Sequence, residues 1–257
     1  MHVKRYGTGT EQVFLAVHGW AGNHRTFAPL ARHLPDNASI LAVDLPGYGK
    51  SPPPSEWRME SVVDGLVEAA RQAPGGPITF MGLCSGAVLA LMAAKETPER
   101  AARVVMIDPF AYVPWYFRIF LWGSFGYHAY HVTFANSLGR RMTNRSLARR
   151  RTGNSNLTKA FAQVDHSVTL SYLRMFNTVD AITPFKEMRL PIDIAYGERT
   201  FAAVKDSVRR WRAQWPQARA WELPGAGHQP IEEAGASLAE VVFEEVSEKA
   251  RAGAAAE

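Results

Sequence analysis

Short apolar runs alternate with longer helix-like segments along most of the 257-residue chain. Nearly continuous apolar runs are typical of strands that are covered on both faces of a parallel sheet, and the helix-like segments supply the crossovers that parallel strands need. The predicted strands cover residues 13–18, 40–45, 78–83, 104–108, 192–196 and 220–223, and the predicted helices cover residues 26–34, 59–72, 87–96, 201–214 and 231–250. The pattern predicts an α/β fold with a mostly parallel sheet flanked by helices.

The alternation is interrupted once, between residues 108 and 192, where helical patterns occur without a clear strand. A structureless loop of that length would be improbable in a compact domain. We therefore predict a core formed by residues 1–108 and 186–257, with a helical, basic and aromatic lid inserted at residues 109–185.

Positive charge is concentrated in this insertion. The whole chain has a formal net charge of +5, yet residues 109–164 contain no Asp or Glu and eight basic residues: Arg118, Arg140, Arg141, Arg145, Arg149, Arg150, Arg151 and Lys159. Basic and aromatic residues together are compatible with nucleic acid, an anionic membrane surface or an acidic carrier. No nucleic-acid recognition motif accompanies the charge, so we do not expect nucleic acid as a partner.

Other features bear on the compartment. A single cysteine cannot form an internal disulfide, the first residues lack the apolar stretch of a signal peptide, and no run of 18 apolar residues occurs. The sequence-based expectation is a cytoplasmic protein.

The strand predicted at residues 78–83 leads directly into Gly82-Leu83-Cys84-Ser85-Gly86 and then into a helix. Small residues on both sides of Cys84 permit a sharp strand-to-helix turn that would hold its side chain at the carboxyl end of the sheet. This pattern resembles the nucleophile elbow of the α/β-hydrolase fold, with cysteine in place of the usual serine. Ser85, one position later, is the alternative nucleophile.

Further motifs extend the resemblance over nearly the whole chain outside the insertion. His18-Gly19-Trp20 is similar to the family's oxyanion loop, which implies that the backbone amides of Trp20 and Ser85 form the oxyanion hole and that His18 holds the loop. Residues 44–51 resemble a structural turn of the family, and residues 223–228 resemble the loop that carries the catalytic base, here His228. Within the superfamily, the chain looks most like the esterase and thioesterase branch.

The catalytic acid departs from the family pattern. The usual aspartate follows the next-to-last strand, where this chain reads Gly197-Glu198-Arg199-Thr200, with threonine at the expected position. Some members carry the acid after the strand that follows the nucleophile helix, which implies Asp108 here. Glu198 is the alternative acid, and a site without an acid is the third possibility.

A cysteine nucleophile makes that third possibility physically reasonable. A free thiol has a pKa of about 8.5, and a helix N-terminus or a nearby imidazolium lowers thiol pKa values further. A thiolate–imidazolium pair can then exist before substrate binds, whereas a serine hydroxyl needs a base that is held in one tautomer. The alternative interpretations are that Cys84 is only a small buried side chain, or that it replaces a serine.

Attack of Cys84 on an ester or thioester would give an acyl-cysteine, so the resemblance implies an esterase, thioesterase or acyltransferase. We expect Trp115, Phe117 and Trp122 to bind a hydrophobic acyl group, and the arginines to receive coenzyme A or acyl carrier protein. A membrane-surface contact is the less favoured partner.

No cofactor is expected. His128, His131 and His166 lie in the insertion, but no further ligand pattern accompanies them, so no metal is expected either. The competing interpretation is a non-catalytic ligand-binding or receptor-like protein, which Thr200 at the usual acid position favours.

Overall fold

A seven-stranded sheet forms the centre of the computed structural model, which describes residues 1–153 and 155–243. Its strands are β1 (His2–Tyr6), β2 (Gln12–Val17), β3 (Ala38–Asp44), β4 (Ile78–Leu83), β5 (Ala101–Ile107), β6 (Ile192–Gly197) and β7 (Arg219–Leu223). The strand order is β1-β3-β2-β4-β5-β6-β7, and only β1 is antiparallel to its neighbour among these pairs. The predicted α/β fold with a mostly parallel sheet is confirmed.

From β3 onwards, the α-helices alternate with the strands except in the insertion. They are α1 (Met59–Gln72), α2 (Ser85–Glu96), α3 (Trp115–Arg118), α4 (Gly123–Tyr130), α5 (Ser137–Ser146), α6 (His166–Phe176), α7 (Ala202–Gln214), α8 (Pro230–Glu233) and α9 (Gly235–Phe243). The part of the chain described here contains no helix that is both long and apolar enough to cross a bilayer.

Both faces of the sheet are covered, which explains the continuous apolar runs. In β2, Val13, Leu15 and Val17 join the hydrophobic core on one side of the sheet. Phe14 and Ala16 join the core on the other side. Successive side chains of a strand point to opposite faces, so a strand that is buried on both faces is apolar at most of its positions.

Three elements differ from the sequence prediction. β1 was not predicted, because His2–Tyr6 is an edge strand whose side chains are mostly exposed and therefore carry no apolar run. The predicted helix 26–34 is instead two 3₁₀ turns, His24–Phe27 and Leu30–His33, since Pro29 between them has no N–H for a continuous helix. The predicted helix 231–250 is divided into α8 and α9, and its residues 244–250 lie outside the described part of the chain.

The insertion (residues 109–185) lies between β5 and β6 and contains helices α3 to α6 and a π-helical turn, His131–Ala135. It is joined to the core near both ends. The Ala111 N–H donates to Ser207 Oγ at 2.9 Å, and the Trp211 indole N–H donates to the Ala181 carbonyl at 3.0 Å. These bonds hold both ends of the insertion against α7.

Candidate active site

Cys84 lies at a strained turn between β4 and α2. Its φ of +56° and ψ of −122° belong to a region that non-glycine residues rarely adopt, as expected of a nucleophile elbow. The flanking glycines allow the close packing of this turn. A Cβ at Gly86 would lie 2.3 Å from the Val17 and His18 carbonyl oxygens, and a Cβ at Gly82 would lie 2.3 Å from the Gly86 carbonyl oxygen.

The two residues predicted to supply the oxyanion-hole amides lie beside Cys84. Trp20 and Ser85 both line the cavity beside Cys84. Within residues 1–153 and 155–243, neither amide donates to a protein acceptor. The loop comes this close because Gly19 has no side chain: a Cβ there would lie 2.8 Å from Cys84 Cβ. Neither predicted donor is therefore occupied by a protein acceptor in the described residues.

The Trp20 side chain joins the loop after β2 to the insertion, a contact that no local sequence pattern predicted. Its indole N–H donates to the Thr169 carbonyl at 2.8 Å. Its ring packs at 5.0–5.6 Å against Phe117, Phe134 and Phe161. The position of the Trp20 amide therefore depends on contacts with the insertion.

His18 is buried and acts as a structural bridge. Its Nε2 accepts from the Leu45 N–H at 3.0 Å, so Nδ1 carries the proton and donates to the Gly19 carbonyl at 2.8 Å. Burial lowers the pKa of His18 to about 4, against smaller opposing contributions. A neutral imidazole with both nitrogens bonded holds the loop and is not available for proton transfer.

His228 forms a hydrogen-bonded pair with the buried Asp108. His228 Nδ1 donates to Asp108 Oδ2, so the other ring nitrogen is left to act on the cavity side. The backbone N–H of His228 donates to the Arg150 carbonyl at 2.9 Å. The rings of Phe110 and Phe201 pack edge-on against the imidazole, at 5.5 and 4.8 Å. Hydrogen bonds and aromatic walls together fix the plane of the ring.

Asp108 occupies the end of β5 in a left-handed conformation, with φ +46°. Its side chain is fully buried and accepts from the Gly197 N–H at 2.9 Å and from the Thr200 hydroxyl at 2.5 Å, besides His228. Thr200 thus occupies the position that holds the acid in the family pattern. Its hydroxyl donates to the carboxylate of Asp108, which follows the neighbouring strand β5. The sequence alone gave this threonine no role beside an acid, because Asp108 is far from it in the chain.

Glu198 does not reach the imidazole. Its Oε2 accepts from the Gly225 N–H at 2.7 Å, so the side chain supports the loop that carries His228. Of the two acids that the sequence offered, Asp108 is the one in contact with His228.

The pKa of His228 is raised from 6.5 to about 10. Burial acts in the opposite direction and lowers it, but hydrogen bonds and charge interactions with Asp108 and Cys84 outweigh burial. Cys84 and His228 also line the same cavity, so the thiol and the imidazole are on the same side of the site. A raised imidazole pKa favours the imidazolium form at neutral pH, which suits a thiolate partner better than a serine hydroxyl that must be deprotonated.

A cavity of about 1080 Å³ opens over Cys84 and His228. Phe117, one of the residues predicted to bind substrate, lines it together with further apolar residues of the insertion: Tyr116, Phe120, Phe134, Phe161, Leu173 and Phe176. Trp115 and Trp122 were predicted to bind substrate as well, and this prediction needs correction. They do not line the cavity and are 73% and 64% exposed, because their short helix and turn direct them outward.

The histidines of the insertion do not form a metal site in the described residues. The rings of His131 and His166 are 5.7 Å apart, and His166 Nδ1 is hydrogen-bonded to the Tyr130 hydroxyl at 3.0 Å. The described residues contain one group with three close ligand atoms, at His2, His24 and Asp44. Hydrogen bonds from His24 and from the Lys50 N–H already occupy both Asp44 oxygens.

Glu233 is a further residue that the sequence analysis missed. Its Oε2 accepts from the Gly227 N–H, next to His228, and its Oε1 accepts from the Thr152 N–H at 3.0 Å and from the Ser155 hydroxyl. One carboxylate in α8 therefore joins the His228 loop to the insertion. No local pattern marks it, because its partners lie far away in the sequence.

Comparison with known proteins agrees with this geometry. A family model described as the alpha/beta hydrolase fold matches residues 12–234. Among curated proteins, a lipase, LipV, of Mycobacterium tuberculosis is 33% identical over 109 residues, which are 42% of this chain and 41% of the lipase. The pimeloyl-[acyl-carrier protein] methyl ester esterase of Methylococcus capsulatus is 29% identical over 107 residues, 42% of this chain and 40% of that esterase. The matches thus span less than half the length of these relatives.

Solved structures extend the likeness to the whole fold. An enol-lactonase from Burkholderia xenovorans superimposes with a TM-score of 0.77 at 17% identity, covering 95% of both chains. An esterase from Thermogutta terrifontis gives a TM-score of 0.73 at 20% identity, covering 94% of this chain and 92% of that one. With the family model matching most of its length and the elbow, the histidine loop and the buried acid at one edge of the sheet, this chain belongs to the alpha/beta hydrolase fold family.

Proposed function

We propose that this protein is an acyl-transfer enzyme of the esterase and thioesterase type, with Cys84 as nucleophile. The observation that carries the proposal is the hydrogen bond from His228 to Asp108 at a cavity that Cys84 and His228 both line, beside the amides of Trp20 and Ser85. An elbow, an oriented base and an oxyanion hole are the parts that acyl transfer needs.

The first step forms a covalent intermediate. The thiol proton passes to His228, and the sulfur attacks the carbonyl carbon of an ester or thioester. The developing oxyanion accepts hydrogen bonds from the amides of Trp20 and Ser85. When the intermediate collapses, the imidazolium donates its proton to the departing alcohol or thiol and the acyl-cysteine remains.

The second step regenerates the enzyme. Neutral His228 takes a proton from water or from another acceptor, which attacks the acyl-cysteine and releases the acid or the transferred product. Asp108 keeps the imidazole in the tautomer that has its free nitrogen towards the sulfur. A thioester reacts with amines and thiols more readily than with water, so the acceptor decides between hydrolysis and transfer.

The cavity lining supports a hydrophobic acyl group. Phenylalanines and other apolar side chains of the insertion face the cavity above Cys84. Residues 109–185 then act as a lid over a core of residues 1–108 and 186–257. Apolar lining with few polar groups is the usual composition of a small-molecule pocket.

A carrier-linked ester is a second candidate substrate, favoured by the Methylococcus relative, which is named for such an ester. The basic insertion would suit coenzyme A or acyl carrier protein. Arg150 and Arg151 are less available than the sequence indicated, because they donate to the carbonyls of Thr200, Gly153 and Ser155. Arg141 and Arg145 are exposed, and reversing both charges should weaken activity on a carrier-linked ester but not on the free ester.

The decisive experiment is intact-mass spectrometry after brief incubation with p-nitrophenyl esters of increasing chain length. Wild type should gain the acyl mass and release nitrophenol, whereas Cys84→Ala should do neither. Ser85→Ala is the matched control, since it keeps the backbone amide and should still be acylated. If no ester gives an adduct or nitrophenol, the proposal fails and a non-catalytic ligand-binding protein becomes the better explanation.

A further inference from the structure

Exposed large apolar side chains are concentrated in one short part of the molecule. Nine are exposed in the described residues, and two of these, Met1 and Val3, are at the N-terminus. The other seven lie between residues 115 and 142: Trp115, Trp122, Phe125, Tyr127, Val132, Leu138 and Met142. Isolated exposed apolar residues are ordinary, but a concentration of this kind indicates an interaction surface.

Helical periodicity places several of these side chains on one outer side. Gly126, Tyr130 and Phe134 recur every four residues and are buried, which leaves Phe125 and Val132 on the opposite, exposed side of α4 and the π-helical turn. In α5, Leu138 and Met142 are spaced i and i+4 and form an exposed apolar strip.

The two strips adjoin each other. Gly139, at the start of α5, is packed against the π-helical turn so closely that a Cβ there would lie 1.7 Å from the Val132 carbonyl oxygen. Phe125, Val132, Leu138 and Met142 therefore belong to one surface, which we call the outer face.

Positive charge accompanies the outer face. Arg141 and Arg145 lie at i+3 and i+7 from Leu138, on the same side of α5, and both are exposed. Residues 109–164 contain no acidic residue that could neutralise them. Two copies of this face would bring like charges together, so a second copy of the chain is a poor occupant. An anionic partner that also accepts large apolar side chains is a good one.

We propose that the outer face binds an anionic lipid surface. Aromatic and aliphatic side chains flanked by arginines are the composition of helices that lie in a membrane interface, where the apolar groups enter the acyl region and the cations contact the headgroups. Residues on the inner side of the same elements, Phe134 and Thr143, line the cavity above Cys84. The lipid surface would thus adjoin the roof of the cavity. This proposal does not depend on the chemistry proposed for Cys84.

Vesicle co-sedimentation tests it, with neutral phosphatidylcholine vesicles compared with vesicles that contain phosphatidylserine. Wild type should bind the anionic vesicles and be released by salt. The double variant Arg141→Glu, Arg145→Glu should bind at least about 25-fold more weakly than wild type, at roughly fivefold per basic residue. The double variant Phe125→Ser, Met142→Ser should also lose binding. Val3→Ser, at the other exposed apolar site, is the matched control and should bind as wild type does.

Circular dichroism and hydrolysis of a short p-nitrophenyl ester verify that each variant is folded, since none of these residues lines the cavity. Failure of wild type to bind anionic vesicles, or equal binding by the outer-face variants, overturns the proposal. Binding of acyl carrier protein that needs Arg141 and Arg145, without vesicle binding, would overturn it in favour of a protein carrier. A dimer that Phe125→Ser abolishes would overturn it in favour of self-association.

Discussion

The turns after β5 and β6 lie side by side at the carboxyl edge of the sheet, yet they contribute different groups to the same imidazole. The turn after β5 supplies the carboxylate of Asp108, which contacts His228 directly. The turn after β6 supplies a backbone N–H from Gly197 and the hydroxyl of Thr200, which both donate to that carboxylate. Because β5 and β6 are parallel neighbours, a group that follows the carboxyl end of either strand can reach the space beside His228. The acid position is therefore a property of the sheet edge and not of one strand.

The largest effect is expected from Asp108→Asn. An amide oriented by Thr200 and Gly197 cannot hold the imidazole in the required tautomer and charge state. We expect kcat/KM for p-nitrophenyl esters to fall by about 10²-fold or more. The loss should be smaller than the roughly 10⁴-fold loss in a serine triad, because a thiol ionises more readily than a serine hydroxyl. Glu198→Gln is the control and should change kcat/KM little. An equal loss in both variants would contradict the assignment of Asp108.

Moving the acid to the other turn sharpens the comparison. In the double variant Asp108→Asn, Thr200→Asp, a carboxylate returns in the turn after β6. There it lies beside the side chain of residue 108, which contacts His228. We expect the double variant to recover about tenfold in kcat/KM over Asp108→Asn alone, a non-additive result of the kind that contacting residues give. No recovery, with a folded protein by circular dichroism, would mean that the β6 turn cannot place an acid here.

A smaller effect is expected from Thr200→Val, which removes the hydroxyl but keeps the shape of the side chain. A hydrogen bond to a buried charged group contributes about 1.5–3 kcal/mol to stability. The urea midpoint should fall accordingly, and kcat should decrease by about three- to tenfold. Thr200→Ser restores the donor and should restore both quantities. If valine and serine behave alike, the hydroxyl has no part in positioning the acid.

The smallest effect is one on pH dependence. The pKa of His228 in the folded protein, about 10, lies above the unfolded value of about 6.5. Its contribution to stability is therefore fully present below about pH 6.5 and is lost as the pH rises through about 10. Asp108→Asn removes a main cause of the raised pKa, so its stability should depend less on pH in this interval.

NMR titration of the His228 ring, compared between wild type and Asp108→Asn, measures this shift directly. Wild type should titrate well above pH 7, and the variant should titrate at a lower pH. A wild-type value near 6.5 would remove the physical basis for a preformed thiolate–imidazolium pair.

Local sequence patterns were sufficient for most of the core. A strand that is buried on both faces is apolar at most positions, so β2 to β6 could be predicted within a few residues, whereas the exposed edge strand β1 could not. The elbow at Cys84 was predictable for a similar reason, because the glycines on both sides of it meet steric demands of neighbouring backbone.

The insertion was harder to predict in detail. Its aromatic residues all favour burial, but which of them are buried depends on how the short helices pack against the rest of the protein. Phe117 faces the cavity, while Trp115, two residues earlier, points to solvent. An amphipathic pattern over so few residues does not determine the facing side.

By itself, the sequence determined the succession of the buried core strands, the sharp turn at Cys84 and the identity of the groups available for chemistry, since these follow from periodicity and from sterics between near neighbours. The tertiary structure decided which acid meets His228, that Thr200 supports it, and which aromatic side chains line the cavity. Asp108 and His228 are 120 positions apart in the chain. Contacts of that range depend on how strand ends align across the sheet, which local patterns do not encode.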